Sequence, residues 1–367
     1  MRLALIAVLT ASSLWIEGCE ADGVVVPRLS PMAGRSGAWD FPDTAAAQLQ
    51  RRLLTPGPVY LGGTMNEDAG YARTIASVPV PGAWGIAIRG DGLALVTSQA
   101  TTYVYLLDAH RRIVTDSIDV GEGSNSVVFT QDGSHACLGV PGGAIGVIDV
   151  TSKRMVSLTP IEYYEASLSA VLTRDGRYCV VGTGHGRVLL FDPLAPAVVA
   201  SIQLPSAGIN GLAIDSSGTR IYASDSYTHS GVFELDYPSL ALRRSFRVRG
   251  VPQALIVTSD GTHLLVANER PNAGYVSNID LSRGDWVDTP TAGPAFGLVD
   301  IPWRDQAAVL YPTAWPTEPG IQVFSFPQGS ISRPYPDPRG PRRGVVFAPD
   351  RVLIVTAFQG GTVDFMQ

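Results

Sequence analysis

Residues 126–149 read SVVFTQDGSHACLGVPGGAIGVID, and this stretch decides the fold. A small residue, Ser126, opens the apolar run Val127-Val128-Phe129, and six positions after Ser126 comes Asp132-Gly133. A second apolar strand follows, then a third that runs from Gly146 to the acidic Asp149. Asp-Gly suits a tight turn between antiparallel strands, because such a turn needs positive φ, which Gly accepts without penalty and Asp tolerates.

The same phrase returns along the chain. Gly85-Ile86-Ala87-Ile88 leads to Asp91-Gly92, Ser169-Ala170-Val171-Leu172 to Asp175-Gly176, Gly211-Leu212-Ala213-Ile214 to Ser217-Gly218, and Ala254-Leu255-Ile256-Val257 to Asp260-Gly261. Two looser copies are Gly297-Leu298-Val299 with Asp305-Gln306 and Gly344-Val345-Val346-Phe347 with Asp350-Arg351. The turns at 91, 132, 175, 217, 260, 305 and 350 are spaced by 41, 43, 42, 43, 45 and 45 residues. That period belongs to propeller blades. Third strands end at Asp108, Asp149, Asp192, Asp236 and Asp280, and fourth strands follow, as in Ile113 to Val120 and Val198 to Leu204. The fold expected is all-β: a seven-bladed β-propeller of four-stranded antiparallel blades.

The ends of the chain predict how the ring closes. The seventh repeat has strands near Gly344 to Phe347, Val352 to Thr356 and Thr362 to Phe365, and lacks a fourth before Gln367. An unused strand-like segment, Thr74 to Val80, stands before the first repeat, and it is expected to complete the last blade and remove the free edge. Blade six is the irregular one, since Trp303, Pro312, Pro316 and Pro319 interrupt it, and proline removes ladder donors.

This repeat, Pro-x-x-Gly followed by alternating apolar residues, Asp-Gly and a third strand ending in Asp, resembles the YVTN or lactonase-like propeller superfamily of bacterial surface proteins over residues 74–367. The resemblance implies architecture. It does not single out an activity, because such propellers include lactonases, lyases, cofactor-bearing dehydrogenase subunits and many binding proteins. A Trp-Asp repeat is not supported: the single Trp-Asp pair, Trp39-Asp40, lies outside the repeats.

Composition agrees with many short strands. The 367 residues include 39 Gly and 27 Pro with 45% hydrophobic residues, and only 16% are charged, for a net charge of -6. Neither disorder nor nucleic-acid binding fits that balance. Met1-Arg2 and the apolar run Leu3 to Ile16 form the pattern of an export signal, too short to span a bilayer as a finished helix. Ile16-Glu17-Gly18-Cys19 resembles a bacterial lipobox, with Glu17 atypical, so Cys19 is the expected lipidation site and the membrane contact is expected through that lipid. The domain reading is a signal peptide over 1–18, a Pro- and Gly-rich tether over 19–70 and the propeller over 71–367. The compartment expected is the bacterial cell envelope.

In a propeller, the loops entering each first strand and those joining second to third strands gather on one face around the channel. Seven positions before each turn stand Trp84, Asn125, Leu168, Asn210 and Gln253, with Phe296 and Arg343 aligned by motif in the looser blades. The second set of loops adds Gln99, His185, Asp225, Glu269, Arg270 and Trp315. Aromatic, amide and charged groups together are what a binding mouth requires, for an envelope protein or a small-molecule ligand. Glu165, His185, Asp225 and Glu269 are the candidates for acid–base work, with Arg270 or Arg343 steadying an anion, against the plainer reading of a solvated rim. His-x-His, His-Glu-x-x-His, Cys-x-x-Cys and Gly-x-Ser-x-Gly are all missing, so neither a metal nor a cofactor is expected. Gly182-Thr183-Gly184-His185-Gly186 joins two strands and reads as a turn rather than a phosphate cradle.

Cys137 and Cys179 lie on the second strands of blades two and three at turn offsets of opposite parity, which places them on facing sheet surfaces. Sheets stack about 10 Å apart, beyond the reach of a disulfide without favourable local geometry. Two readings stay open: two buried small side chains, or a disulfide where local geometry brings the sulfurs together.

Overall fold

A computed structural model describes residues 73–161, 167–226, 231–270, 273–312, 319–336 and 341–367. The expected tether, with Cys19 and the export signal, lies outside these described residues, as do Glu165 and Trp315.

Seven antiparallel sheets make up the described residues, and six of them run in simple chain order from the innermost strand outward. Blade two is typical: Ser126–Phe129, His135–Val140, Ala144–Asp149 and Arg154–Pro160. Blade seven takes three strands from the C-terminal end and its outermost strand, Thr74–Pro79, from before blade one. Thr74 pairs with Met366 and Pro79 with Thr362. This is the closure the sequence predicts, and no helix occurs among the described residues. Blade six is enlarged at its outer edge, where two short pieces, Ser330–Ile331 and Tyr335–Pro336, both pair with the third strand, Gly320–Ser325.

Burial follows each strand's place in the wedge. Second strands such as Cys179–Thr183 and Leu353–Ala357 are buried at every position, because neighbouring blades cover both faces. Their sequences are accordingly continuous apolar runs. Outermost strands such as Arg154–Pro160 alternate between exposed and half-buried residues, since one side meets solvent. The core is a set of inter-blade clusters, each built from the facing surfaces of two sheets, as with Val180, Leu190, Leu212 and Phe233 between blades three and four.

The small residue that opens each repeat has a steric cause. A Cβ on Gly344 would stand 2.4 Å from the Trp84 carbonyl oxygen, and one on Gly85 would stand 2.7 Å from that of Asn125. The innermost strands converge on the axis, so each presses against the backbone of the next blade. At the other end of these strands, the turn glycines lean on the preceding turn: a Cβ on Gly176, whose φ is +72°, would meet the Gln131 side chain. Turn carboxylates are satisfied locally. Thr130 donates to Asp132 over 2.6 Å, and Thr173 donates to Asp175 over the same distance. The Thr130 hydroxyl, helped by Ser134, holds the Asp132 carboxyl down at about 2.

Of the two readings of the cysteines, the structure takes the disulfide. Cys137 and Cys179 are joined by a disulfide with a Cα–Cα distance of 6.8 Å, and both are buried among Ile145, Val147, Val181 and Leu189. The 10 Å spacing describes sheets of even separation, whereas blades radiate from one axis and draw together toward it. Second strands lie near enough to the axis, with side chains small enough, for two sulfurs to meet.

Candidate functional site

The innermost strands surround a channel, and at the end where they begin lies an opening of about 180 Å³. Trp84, Asn125, Leu168, Asn210 and Gln253 all line it, each from a different blade. Five of the seven positions aligned from the sequence therefore meet. Gly344 and Val345 line it from blade seven, and Arg343 is the backbone neighbour of Gly344 on the strand Pro341–Phe347. Phe296 is 4% exposed and is not among the lining residues. Trp84 is also a packed residue, with its ring edge-on to Phe358 at 5.4 Å.

Amide groups tie the mouth together across blades. Asn210 Nδ2 donates to Gln253 Oε1 over 3.1 Å, and Gln253 Nε2 donates to Glu269 Oε2 over 2.7 Å. Gln99 Nε2 donates to Asn125 Oδ1 over 2.7 Å. These bonds fix the amide orientation at a site where Asn210 and Gln253 are almost fully buried, as a preorganised polar surface requires.

The acid–base candidates His185, Asp225 and Glu269 stand on three successive blades. Glu269 touches the lining through Gln253; Arg270 follows it on the strand His263–Arg270 and is exposed. His185 is exposed on the hairpin between the second and third strands of blade three, where its carbonyl accepts from Gln203. Asp225 is buried at the end of the strand Arg220–Asp225. Among the described residues no three His, Cys, Asp or Glu side chains gather as a metal would need.

Sequence reading missed the hydroxyls that hold the mouth's backbone. Thr356 Oγ1 donates to the Trp84 carbonyl over 2.7 Å, Ser169 Oγ to that of Ile209 over 3.0 Å, and Ser226 Oγ to that of Pro252 over 2.7 Å. Each bond crosses from one blade to the next. Ser224 Oγ accepts from the backbone N–H groups of both Asn210 and Gly211 within blade four. The available signal was a hydroxyl near the end of an otherwise apolar second strand, as in Thr97-Ser98, Ser224 and Thr356.

At the opposite end, a larger cavity of about 430 Å³ opens between the turns of blades three, four and five. Val171 lines both spaces. Ser259 on its wall neighbours Asp300, whose carboxyl burial pushes up to about 6. One Asp300 oxygen, Oδ1, is buried without a hydrogen-bond partner. The sign follows from linkage. Between the ordinary carboxylate value near 4 and about 6, the folded chain holds a proton that the unfolded chain releases, so stability falls as pH rises through that window. Asp300→Asn is expected to be about 1 kcal/mol more stable than the parent at pH 7, after allowing for partial solvent screening, with the gain vanishing below about pH 4. Urea unfolding of both proteins across that range checks it, and a difference independent of pH would count against the assignment.

No protein-family model and no curated protein sequence matches the chain. Solved structures do match in shape. A chain of Kuenenia stuttgartiensis hydrazine synthase superposes with a TM-score of 0.69 at 15% identity, covering 84% of this chain and 99% of that one. A chain from the crystal structure of the mitotic checkpoint complex gives a TM-score of 0.69 at 14% identity, covering 83% and 98%. At such identities the likeness is one of fold.

Proposed function

We propose that the protein is an exported, membrane-anchored propeller of the YVTN or lactonase-like kind that works as a binding module, taking an envelope protein or a small ligand at the channel mouth. The observation that carries this is the convergence of Trp84, Asn125, Leu168, Asn210 and Gln253 on one opening, with their amides locked by the Asn210–Gln253–Glu269 relay. A rigid ring that presents fixed donors and acceptors at its centre loses little conformational entropy when it binds. The buried disulfide supports export, since such bonds persist in oxidising compartments. The apolar run Leu3 to Ile16 and Cys19 support the anchor.

Capture by crosslinking in native envelopes tests the reading, comparing the parent with a Gln99→Ala, Arg270→Glu double variant. Both residues stand at the mouth or its rim outside the core, so the thermal midpoint is expected to stay within a degree or two while capture of a specific partner is lost. Equal capture by both proteins would remove the mouth as the working surface. Turnover on a lactone and ester panel that disappeared in Glu269→Gln would replace binding with the hydrolase reading that the family resemblance also allows.

A further inference from the structure

The lower cavity has its own chemistry, unrelated to the mouth. Its walls include Val171, Leu172, Ile214 and Val257, and its volume of about 430 Å³ is that of a small-ligand pocket. Arg174 and Ser216 line it, both are exposed, and neither has an ion pair or hydrogen bond with another described residue. Asp215 also lines the cavity, and it and the nearby Asp175 and Asp260 are already engaged in their own turns. Asp215 accepts from Ser217, from Thr219 over 3.3 Å and from the Arg220 N–H over 2.8 Å. Asp175 accepts from Thr173, and from Tyr237 over 2.7 Å, and Asp260 from Thr258 and Thr262. Asp300 lies behind Ser259 and is not part of the lining. What remains for a ligand is one unspent guanidinium and one unspent hydroxyl above an aliphatic floor.

We propose that this cavity is a second binding site, for a small organic anion whose carboxylate sits on Arg174 and Ser216 and whose branched apolar body lies against Val171, Ile214 and Val257. A guanidinium holds a carboxylate through two parallel N–H bonds, a geometry that a neutral amide cannot reproduce. The apolar floor excludes small inorganic anions from the best fit, because they would leave it unfilled.

Isocaproate and its neutral analogue isocaproamide are the probes, titrated against the full chain by saturation-transfer NMR. The acid is expected to bind at least about tenfold more tightly than the amide. Arg174→Gln is expected to abolish that difference, and Arg174→Lys to retain part of it as a point charge without the planar fork. Gln253→Ala, at the other end of the channel, is expected to leave it unchanged, which separates this site from the mouth. Equal binding of acid and amide, no binding of either, or a preference that survives in both Arg174 variants overturns the proposal.

Discussion

Replacing Val80 by Asp is expected to cost at least about 3 kcal/mol of stability and to raise self-association above that of the parent, because it places an unpaired charge at the seam that closes the propeller. Val80 is fully buried, its backbone N–H donates to the Gly361 carbonyl over 2.8 Å, and it packs in one cluster with Val78, Ala94, Leu107, Ile354, Val363 and Phe365. That cluster joins the first blade to the last. Ser77 and Asp364, which hydrogen-bond across the seam, are 287 residues apart in the chain, so the closing strand holds together nearly the whole described length. Once it detaches, Thr362–Met366 becomes an open edge with unpaired donors and acceptors, which is a template for pairing with another chain. Pro79→Ser serves as the control, because Pro79 ends the closing strand one residue before Val80, is exposed, and should change stability by no more than about 0.5 kcal/mol. Urea unfolding and size-exclusion chromatography read the two effects. Equal behaviour of the two variants would mean that the seam contributes little and that the ring is held by its six other interfaces.

Removing the disulfide is expected to cost about 4 kcal/mol, the chain-entropy value for closing a loop of 42 residues. The Cys137→Ala, Cys179→Ala double variant should match the reduced parent in its unfolding midpoint, and reductant should leave the variant unmoved. The cavity left by the sulfurs is small, so packing loss adds little to the entropic effect, although both positions are under 2% exposed. Thiol titration gives the direct check. The chain has three cysteines, and denatured but unreduced protein should yield no free thiol beyond Cys19. Two further thiols would falsify the bond and return these residues to the role of small apolar packers.

Position along a strand and depth in the ring are separate properties at the mouth. Position seven before the turn does mark the channel, since Asn125, Asn210 and Gln253 line it together. Phe296, aligned by motif in the looser blade six, is buried and is not among the lining residues, and Trp84 both lines the opening and packs edge-on against Phe358. A register rule states where along a strand a residue stands. It does not state how deep that point lies, because depth depends on how the neighbouring blade is built.

Ring architecture, blade number, strand order and the closing strand are determined by the sequence alone. These follow from local rules: period-two burial along strands, turn chemistry at Asp-Gly and a repeat length that only one sheet per repeat can fill. Three features were decided only by the tertiary structure: the bond between Cys137 and Cys179, the amide relay from Asn210 to Glu269, and the unspent Arg174 above an aliphatic cavity. Each depends on the distance between residues of different blades. That distance is set by the wedge in which sheets converge on a common axis, and a repeat read one copy at a time contains no measure of it.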